Sequence, residues 1–191
     1  MEIGLYFGSF NPIHHGHLII ANHVYQHTGL QQIWFVVTPQ NPFKQNHQLL
    51  NEYQRLHLVQ VAIEGEDHLR ASDIEFKLPK PSYTIDTLTY LREKYPQHQF
   101  SLILGGDSFK NLPKWKNGDI ILRDYPLYIY QRPGFDIITP SNAKQITILD
   151  APLLELSSTR IRQAIKEKKS IRYLVPDSVA QEIEQNNYYR S

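Results

Sequence analysis

Residues 8–17, Gly-Ser-Phe-Asn-Pro-Ile-His-His-Gly-His, follow a short apolar run and precede a segment with helical character. This order predicts a strand, a tight turn and a helix. Gly8 lets the backbone leave the strand with no Cβ in the way, Pro12 fixes φ in the turn, and Gly16 allows close approach of chain or ligand. At such a junction in a parallel sheet, the helix presents unpaired N–H groups and the positive end of its dipole. The stretch therefore predicts a phosphate-binding site.

Two histidines of this stretch are candidate ligand-binding side chains. His14 and His17 are three residues apart, so both imidazoles project from one face of the first helical turn if the helix begins near His15. Two imidazoles over a helix N-terminus suit a polyphosphate. The same spacing also suits a metal site, but zinc would require a third ligand, and the chain contains no cysteine. A metal site is thus the less favoured alternative.

Length and composition limit the class of protein. A chain of 191 residues suits one well-buried α/β domain, so we expect residues 1–191 to form a single domain. Lysine and arginine total 20 against 19 acidic residues, a net charge of +1. The chain therefore has no large excess of positive charge that would attract nucleic acid or an anionic membrane. The absence of cysteine, of a leader segment and of a membrane-spanning apolar run predicts a cytoplasmic protein.

The rest of the chain predicts strands that alternate with helices. Gln32–Val37 is a nearly continuous apolar run, as expected for a strand covered on both faces. Leu69–Lys77 is expected to form one or two short extended segments. Further apolar strands are predicted at Phe100–Leu104, Leu127–Tyr130 and Ile146–Leu149. We therefore expect a Rossmann-like, doubly wound α/β fold, with a mainly parallel sheet and helices on both faces.

Helical periodicity predicts which side chains of two helices are buried. In the helix Asn51–Ile63, Arg55 and His57 are expected to face solvent, outside the apolar stripe. The terminal helix runs from Asp177 to Asn187. Its Val179 and Ile183 are expected to pack inward.

Polar or glycine-rich segments follow several predicted strands. Since parallel strands end at the same edge of a sheet, Lys44 after the second strand could reach a phosphate held by the first turn. Gly105 and Gly106 let a planar base or ribose lie against the backbone, and Asp107 can accept hydrogen bonds from hydroxyls. Arg132 follows the strand that ends at Tyr130. Each feature is also common in ordinary loops.

Two more helix starts could bind anions. The segment Ser157–Arg162 gathers hydroxyls, free amides and arginines at a helix N-terminus. Thr84 and Asp86 lie in the first turn of another helix, where free amides can hold a carboxylate. Ordinary capping is the alternative for both. Trp115, in a polar setting beside the glycine loop, is a candidate aromatic platform, with core packing as the alternative.

The glycine, phenylalanine, proline and His-x-Gly-His tetrad of residues 8–17 resemble, in register, the HxGH signature of the nucleotidyltransferase superfamily. Further segments occur in the order seen in bacterial nicotinate-nucleotide adenylyltransferases. They are Asn41-Pro-Phe-Lys44, Ser82-Tyr-Thr-Ile-Asp-Thr-Leu88, Gly105-Gly-Asp-Ser108, Leu112-Pro-Lys-Trp115, Arg132-Pro-Gly134 and Ser157-Ser-Thr-Arg-Ile-Arg162. The resemblance covers nearly the whole chain.

The resemblance implies transfer of AMP from ATP to nicotinate mononucleotide, giving nicotinate adenine dinucleotide and pyrophosphate in NAD biosynthesis. It implies Mg²⁺ with ATP and no protein ligand for that ion. ATP and the mononucleotide are the implied partners, and a homo-oligomer is compatible with the family. By resemblance, the catalytic residues are His14 and His17. The residues implied to bind ATP are Gly8, Ser9, Phe10, His14, His17, Gly105, Gly106, Asp107, Ser158, Thr159 and Arg162. Those implied to bind the mononucleotide are Lys44, Tyr83, Thr84, Trp115, Lys116 and Arg132.

The sequence departs from the family pattern at two positions. Asn11 stands where aspartate is frequent, and Phe43 stands where histidine commonly precedes the lysine. Asn11 is expected to alter hydrogen bonding in the turn rather than catalysis, since either side chain can cap a turn. Three alternatives stay open: nicotinamide mononucleotide as acceptor, phosphopantetheine as acceptor, or a catalytically inactive nucleotide-binding protein.

Overall fold

The structure is a computed structural model that describes residues 1–40, 49–131, 137–152 and 154–190. Six strands of these residues form one sheet. They are β1 (Glu2–Gly8), β2 (Gln32–Val37), β3 (Leu69–Ser72), β4 (Gln99–Gly105), β5 (Pro126–Tyr130) and β6 (Gln145–Leu149). The order across the sheet is β3-β2-β1-β4-β5-β6, and every neighbouring pair is parallel. The predicted doubly wound, parallel α/β sheet is therefore confirmed.

Helices connect the strands. They are α1 (His15–Gln26), α2 (Glu52–Ala62), α3 (Thr84–Lys94), α4 (Gly106–Asn111), α5 (Gly118–Asp124), α6 (Ser158–Lys166) and α7 (Asp177–Gln185). Two short 3-10 helices occupy Ile74–Lys77 and Leu112–Lys114. In the part of the chain that the structure describes, no helix has the length and apolar character needed to span a membrane.

Buried side chains form a hydrophobic cluster on each face of the sheet. One cluster contains Ile20 of α1 and both Val179 and Ile183 of α7, which confirms the predicted inward side of the last helix. The other contains Leu88 of α3 and Ile121 of α5. The sheet is thus covered on both faces, which explains the nearly continuous apolar runs of its central strands.

The segment Leu69–Lys77 differs from the extended structure that the sequence predicts. Only Leu69–Ser72 is a strand, and the 3-10 helix follows it. Ile74 and Glu75 are adjacent in sequence, yet both are buried. The tight turn of the 3-10 helix places both side chains in the interior.

The order of the strands creates a crevice at one edge of the sheet. β1 pairs with β2 on one side and with β4 on the other. The connections from β1 and β4 therefore leave in opposite directions, which opens a crevice at the carboxyl ends of these strands. The turn after Gly8 and the glycines after Leu104 border this crevice.

Candidate active site

The histidine pair lies at the start of α1. His14 precedes the helix with extended backbone angles, φ −149° and ψ 169°, and His17 lies in its first turn. The two imidazole rings stack with centroids 3.7 Å apart and an interplanar angle of 24°. The predicted common face is therefore present. The backbone N–H of His14 donates to Nδ1 of His17 at 3.3 Å, which places the proton of a neutral His17 ring on Nε2.

Burial keeps both imidazoles neutral near pH 7. His14 is 5% exposed, and burial, with a smaller effect from the adjacent His15, lowers its pKa to about 4. Burial and the neighbouring His14 also lower the pKa of His17 well below its usual range. Nδ1 of His14 is buried with no hydrogen-bond partner among the described residues, which is unusual for a buried polar atom. The pair therefore offers hydrogen-bonding nitrogens rather than fixed positive charges.

Gly8, Phe10 and Gly16 shape the turn around the pair. Phe10 has a left-handed φ of 44°, is 2% exposed, and meets the ring of His17 edge-on at 5.1 Å. A Cβ on Gly8 would lie 2.8 Å from the ring of Phe10, and one on Gly16 would lie 3.0 Å from the ring of His14. Both glycines are thus needed for close packing. The side chain of Phe10 belongs to the core, so only its backbone is open to the ATP contact that the sequence predicts.

Helix α6 docks its N-terminus on the same turn. Ser158 Oγ donates to the carbonyl of Pro12 at 2.8 Å, and Arg162 Nη1 donates to the carbonyl of Asn11 at 2.8 Å. Arg162 is buried and its Nη2 also donates to Thr159 Oγ1 at 3.3 Å. The second predicted anion-binding helix start therefore lies beside the first, and its side chains hold the loop that carries the histidine pair.

The prediction that the side chain of Arg55 faces solvent is wrong. The residue is 0% exposed, and its guanidinium donates to four backbone carbonyls. The acceptors are Leu50 at 2.8 Å, Thr38 at 2.8 Å, Pro39 at 3.2 Å, and Ser9. Because the planar guanidinium carries five N–H donors, it can satisfy several carbonyls at once. Burial lowers its pKa to about 10, so it stays charged near pH 7.

Sequence reasoning missed Arg55 because the residue type suggested exposure. Its position gave the opposite signal: Arg55 lies three and four residues before Leu58 and Val59, which are both fully buried. His57, which lies between Arg55 and Leu58 in the sequence, is exposed as predicted. Arg55 therefore ties the ends of β1 and β2 to the start of α2.

The two glycines after β4 have different surroundings. A Cβ on Gly105 would lie 3.1 Å from the hydroxyl oxygen of Tyr130, whereas the nearest atom to a Cβ on Gly106 would be 3.9 Å away. The hydroxyl of Tyr130 reaches across the strand end to within 3.3 Å of the hydroxyl of Tyr6. Gly105 is thus covered by a tyrosine ring. Gly106 and the exposed Asp107, at the start of α4, present the more open backbone.

A cavity of about 140 Å³ opens between the strand ends and the start of α3. The predicted site residues that line it are Gly8, Tyr83, Thr84, Gly105, Trp115 and Lys116. Trp115 is half-buried there. Nζ of Lys116 lies 4.9 Å from the centroid of the Tyr83 ring and 2.8 Å from Oδ2 of Asp86. The cavity therefore combines the indole of Trp115, the ammonium of Lys116 in its ion pair, and the N-terminus of α3. Such a lining suits a small aromatic ligand that carries a carboxylate.

Two predicted contacts to the mononucleotide, Lys44 and Arg132, lie outside the described residues, as does Phe43. Ser9 is described, and its carbonyl is bonded to Arg55. Within residues 1–40, 49–131, 137–152 and 154–190, no group of three or more His, Cys, Asp or Glu side chains could hold a metal ion.

Comparison with known proteins gives a family and close relatives. The family model described as cytidylyltransferase-like matches residues 5–164. A probable nicotinate-nucleotide adenylyltransferase of Flavobacterium psychrophilum is 51% identical over 192 residues, covering 100% of both chains. A protein of the same name from Cytophaga hutchinsonii is 52% identical over 189 residues, covering 99% of this chain and 98% of that one.

Solved structures agree with the fold. The Plasmodium falciparum nicotinic acid mononucleotide adenylyltransferase complexed with NaAD matches with a TM-score of 0.83, covering 98% of this chain and 97% of that one. Its sequence is 20% identical, so this similarity concerns the fold alone.

Proposed function

The chain belongs to the cytidylyltransferase-like family, among the nicotinate-nucleotide adenylyltransferases. On that basis we propose which of its residues bind each substrate and which stabilise the transition state. It transfers AMP from ATP to nicotinate mononucleotide, with release of pyrophosphate, in NAD biosynthesis. The observation that carries the assignment of the site is the stacked pair of His14 and His17, held against the N-terminus of α6 at the crevice.

The transfer depends on positioning more than on covalent chemistry. An oxygen of the mononucleotide phosphate attacks the α-phosphorus of ATP, and the bond from that phosphorus to the bridging oxygen of the β-phosphate breaks. Pyrophosphate leaves opposite the incoming oxygen. No protein nucleophile is needed, so the protein acts by alignment and by stabilising negative charge.

The neutral histidines suit this task. We assign Nε2–H of His17 to an oxygen of the reacting phosphates, because its Nδ1 accepts the N–H of His14. Negative charge accumulates on the departing pyrophosphate during the transfer. A hydrogen bond to that charge becomes stronger in the transition state than in the ground state, which is the condition for catalysis.

The start of α6 is the proposed site for the β- and γ-phosphates. The hydroxyls of Ser158 and Thr159 and the guanidinium of Arg162 lie there, and Nε of Arg162 is buried with no partner among the described residues. An N–H in that state is available for a phosphate oxygen. We place the adenosine at Gly106 and Asp107, where the backbone is more open than at Gly105.

The cavity beside Trp115 is the proposed site for the mononucleotide. The indole would stack on the pyridine ring, with Tyr83 beside it. Since Lys116 is already paired with Asp86, the carboxylate of nicotinate is assigned to backbone amides near Thr84 rather than to the ammonium of Lys116. Phosphate contacts by Lys44 and Arg132 stay predictions.

Mg²⁺ is proposed to accompany ATP. Such an ion usually keeps several waters and binds phosphate oxygens. The described residues do not fit a protein-held metal site, since they contain no cluster of three ligands, and no step is assigned to one. The cytoplasmic location and a homo-oligomer also stay predictions.

Release of pyrophosphate with ATP and Mg²⁺ tests the proposed function when three acceptors are compared. The acceptors are nicotinate mononucleotide, nicotinamide mononucleotide and phosphopantetheine. Strong preference for the nicotinate form supports both the reaction and the carboxylate site. Comparable use of the amide form contradicts the carboxylate site, and failure with every acceptor indicates an inactive nucleotide-binding protein.

A further inference from the structure

Glu75 is a buried carboxylate with no part in the scheme above. It lies in the 3-10 helix Ile74–Lys77 and is 2% exposed. Among the described residues, no lysine, arginine or histidine forms an ion pair with it. Burial raises its pKa. A buried carboxyl group is costly unless it is well hydrogen-bonded, so its partners indicate what it does.

The partners of Glu75 are hydroxyl groups from separate segments. Ser82 Oγ donates to Oε2 at 2.9 Å, and Thr87 Oγ1 donates to Oε1 at 2.8 Å. Thr38, directly after β2, is a further donor. All these side chains are buried. The carboxylate therefore joins the end of β2 to the first turn of α3 from inside the protein.

The start of α3 is also one wall of the mononucleotide cavity. The residues that line this cavity include Glu75, Ser82, Tyr83, Thr84 and Trp115. As at any helix start, the N–H groups of Thr84 and Ile85 have no acceptor within the helix. The hydrogen bonds that Ser82 and Thr87 donate to Glu75 fix these two residues, which lie on either side of the two N–H groups in the chain.

We propose that Glu75 is a positioning residue for nicotinate mononucleotide, which holds the start of α3 so that the amides of Thr84 and Ile85 meet the carboxylate of the pyridine ring. The inference rests on the function proposed above. Glu75 acts through the helix, because its oxygens are already bonded to hydroxyls. Without the carboxylate, Ser82 loses its acceptor and Thr87 keeps only the carbonyl of Tyr83 at 3.3 Å, so the helix start shifts to satisfy these buried hydroxyls.

Thr87→Val is the mildest test, because it removes one donor to Glu75 and keeps the shape of the side chain. The KM for nicotinate mononucleotide should rise by about threefold to tenfold, while the KM for ATP and kcat change by less than about twofold. Thr89→Val is the matched control. Thr89 lies on the same helix, is exposed, and donates to the carbonyl of Ile85 at 2.9 Å rather than to Glu75. Its kinetic constants should match those of the wild type.

Glu75→Ala removes the acceptor for all the hydroxyls, and the KM for nicotinate mononucleotide should rise by roughly tenfold to a hundredfold. Glu75→Gln keeps an acceptor oxygen and should recover most of this loss. A purely structural role predicts a lower unfolding temperature with unchanged kinetic constants for the folded fraction, which would overturn the proposal. If Glu75→Ala does not fold, the KM values of Thr87→Val and Thr89→Val for nicotinate mononucleotide test the role of Glu75.

Wild-type protein is assayed first with ATP, Mg²⁺ and nicotinate mononucleotide. If it forms no dinucleotide, the proposed function and the role of Glu75 both fail. If the wild type is active but the variants have its KM for the mononucleotide, only the role of Glu75 fails.

Discussion

His17 lies at the start of α1, where its imidazole is half-buried and its neutral tautomer carries the proton on Nε2. His17→Ala should lower kcat by roughly a hundredfold or more, because the lost hydrogen bond acts mainly on charge that develops in the transition state. Circular dichroism should show an unchanged fold.

His27→Ala is the control for this substitution. His27 stacks on His23 with centroids 4.0 Å apart, so it belongs to a similar ring pair at the opposite end of the same helix. Its removal should leave turnover unchanged. Near-normal turnover of His17→Ala, or equal losses in the two variants, would contradict the role assigned to His17.

His14 should make stability depend on pH. Its pKa is about 4 in the folded protein against an ordinary value of 6.5, so the unfolded chain binds more protons between these values. The stability from this group is complete above about pH 6.5 and is lost as the pH falls towards about 4.

His14→Asn keeps a side chain suited to the start of a helix and removes the titration. Between pH 7 and pH 4.5, the free energy of unfolding should fall less in this variant than in the wild type, by on the order of 2 kcal/mol. Urea unfolding at both pH values measures the difference. Parallel losses in the two proteins would show that His14 titrates normally in the fold.

Trp115 should contribute to binding of the mononucleotide rather than to folding. Trp115→Ala removes a stacking surface worth roughly 1–3 kcal/mol, so the KM for nicotinate mononucleotide should rise by about fivefold to more than a hundredfold. The KM for ATP should change little. Tyr173→Ala, at an aromatic residue that is 76% exposed, is the control and should change neither constant. An unchanged KM in Trp115→Ala would leave Trp115 as a packing residue.

Single residues differ in how well the sequence predicts them. The common face of His14 and His17 follows from their spacing. By contrast, Oδ1 of Asn11 accepts the N–H of Leu50 at 3.2 Å, outside the turn and just before α2. The ring of Tyr130 covers Gly105, but Tyr130 belongs to the neighbouring strand β5, so the local sequence around Gly105 does not predict this contact. Residue types and spacing therefore predict which side chains share a face, but not the contacts that neighbouring strands and helices make with them.

At the scale of elements, α2 is anchored by Arg55 through bonds to carbonyls at the ends of two strands. Lysine has one ammonium group and cannot reach several separated carbonyls. Arg55→Lys should therefore lower the free energy of unfolding by roughly 3 kcal/mol, since buried carbonyls lose their donors. Arg123→Lys, at an exposed pair with Asp124, should leave stability unchanged. Urea unfolding of both variants measures this, and equal stabilities would contradict the anchoring role.

Most elements follow from local patterns. Four of the predicted strands appear within about two residues of their expected bounds, because continuous apolar runs and glycine boundaries are local signals. Leu69–Lys77 was less predictable, since its turn into a 3-10 helix depends on the burial of Glu75 against Ser82 and Thr87. The burial of a charged residue depends on its partners, and those of Glu75 lie outside the segment, 7 and 12 residues later in the chain.

At the scale of the whole molecule, residues from both ends of the chain share one hydrophobic cluster, which contains Tyr6 and Tyr189. We propose that residues 1–191 form one domain, and we expect a single cooperative transition in urea. Circular dichroism reports the helices, while fluorescence reports Trp34 and Trp115. Two separate transitions, or different midpoints for the two signals, would contradict a single domain.

The central claim is that ATP and nicotinate mononucleotide react directly in the crevice between β1 and β4, with no covalent protein intermediate. The most direct test uses one diastereomer of ATP with a sulfur on the α-phosphorus, and determines the configuration of the dinucleotide product by phosphorus NMR. A single in-line displacement predicts inversion at this phosphorus. Retention would require two displacements through a protein nucleophile and would contradict the account.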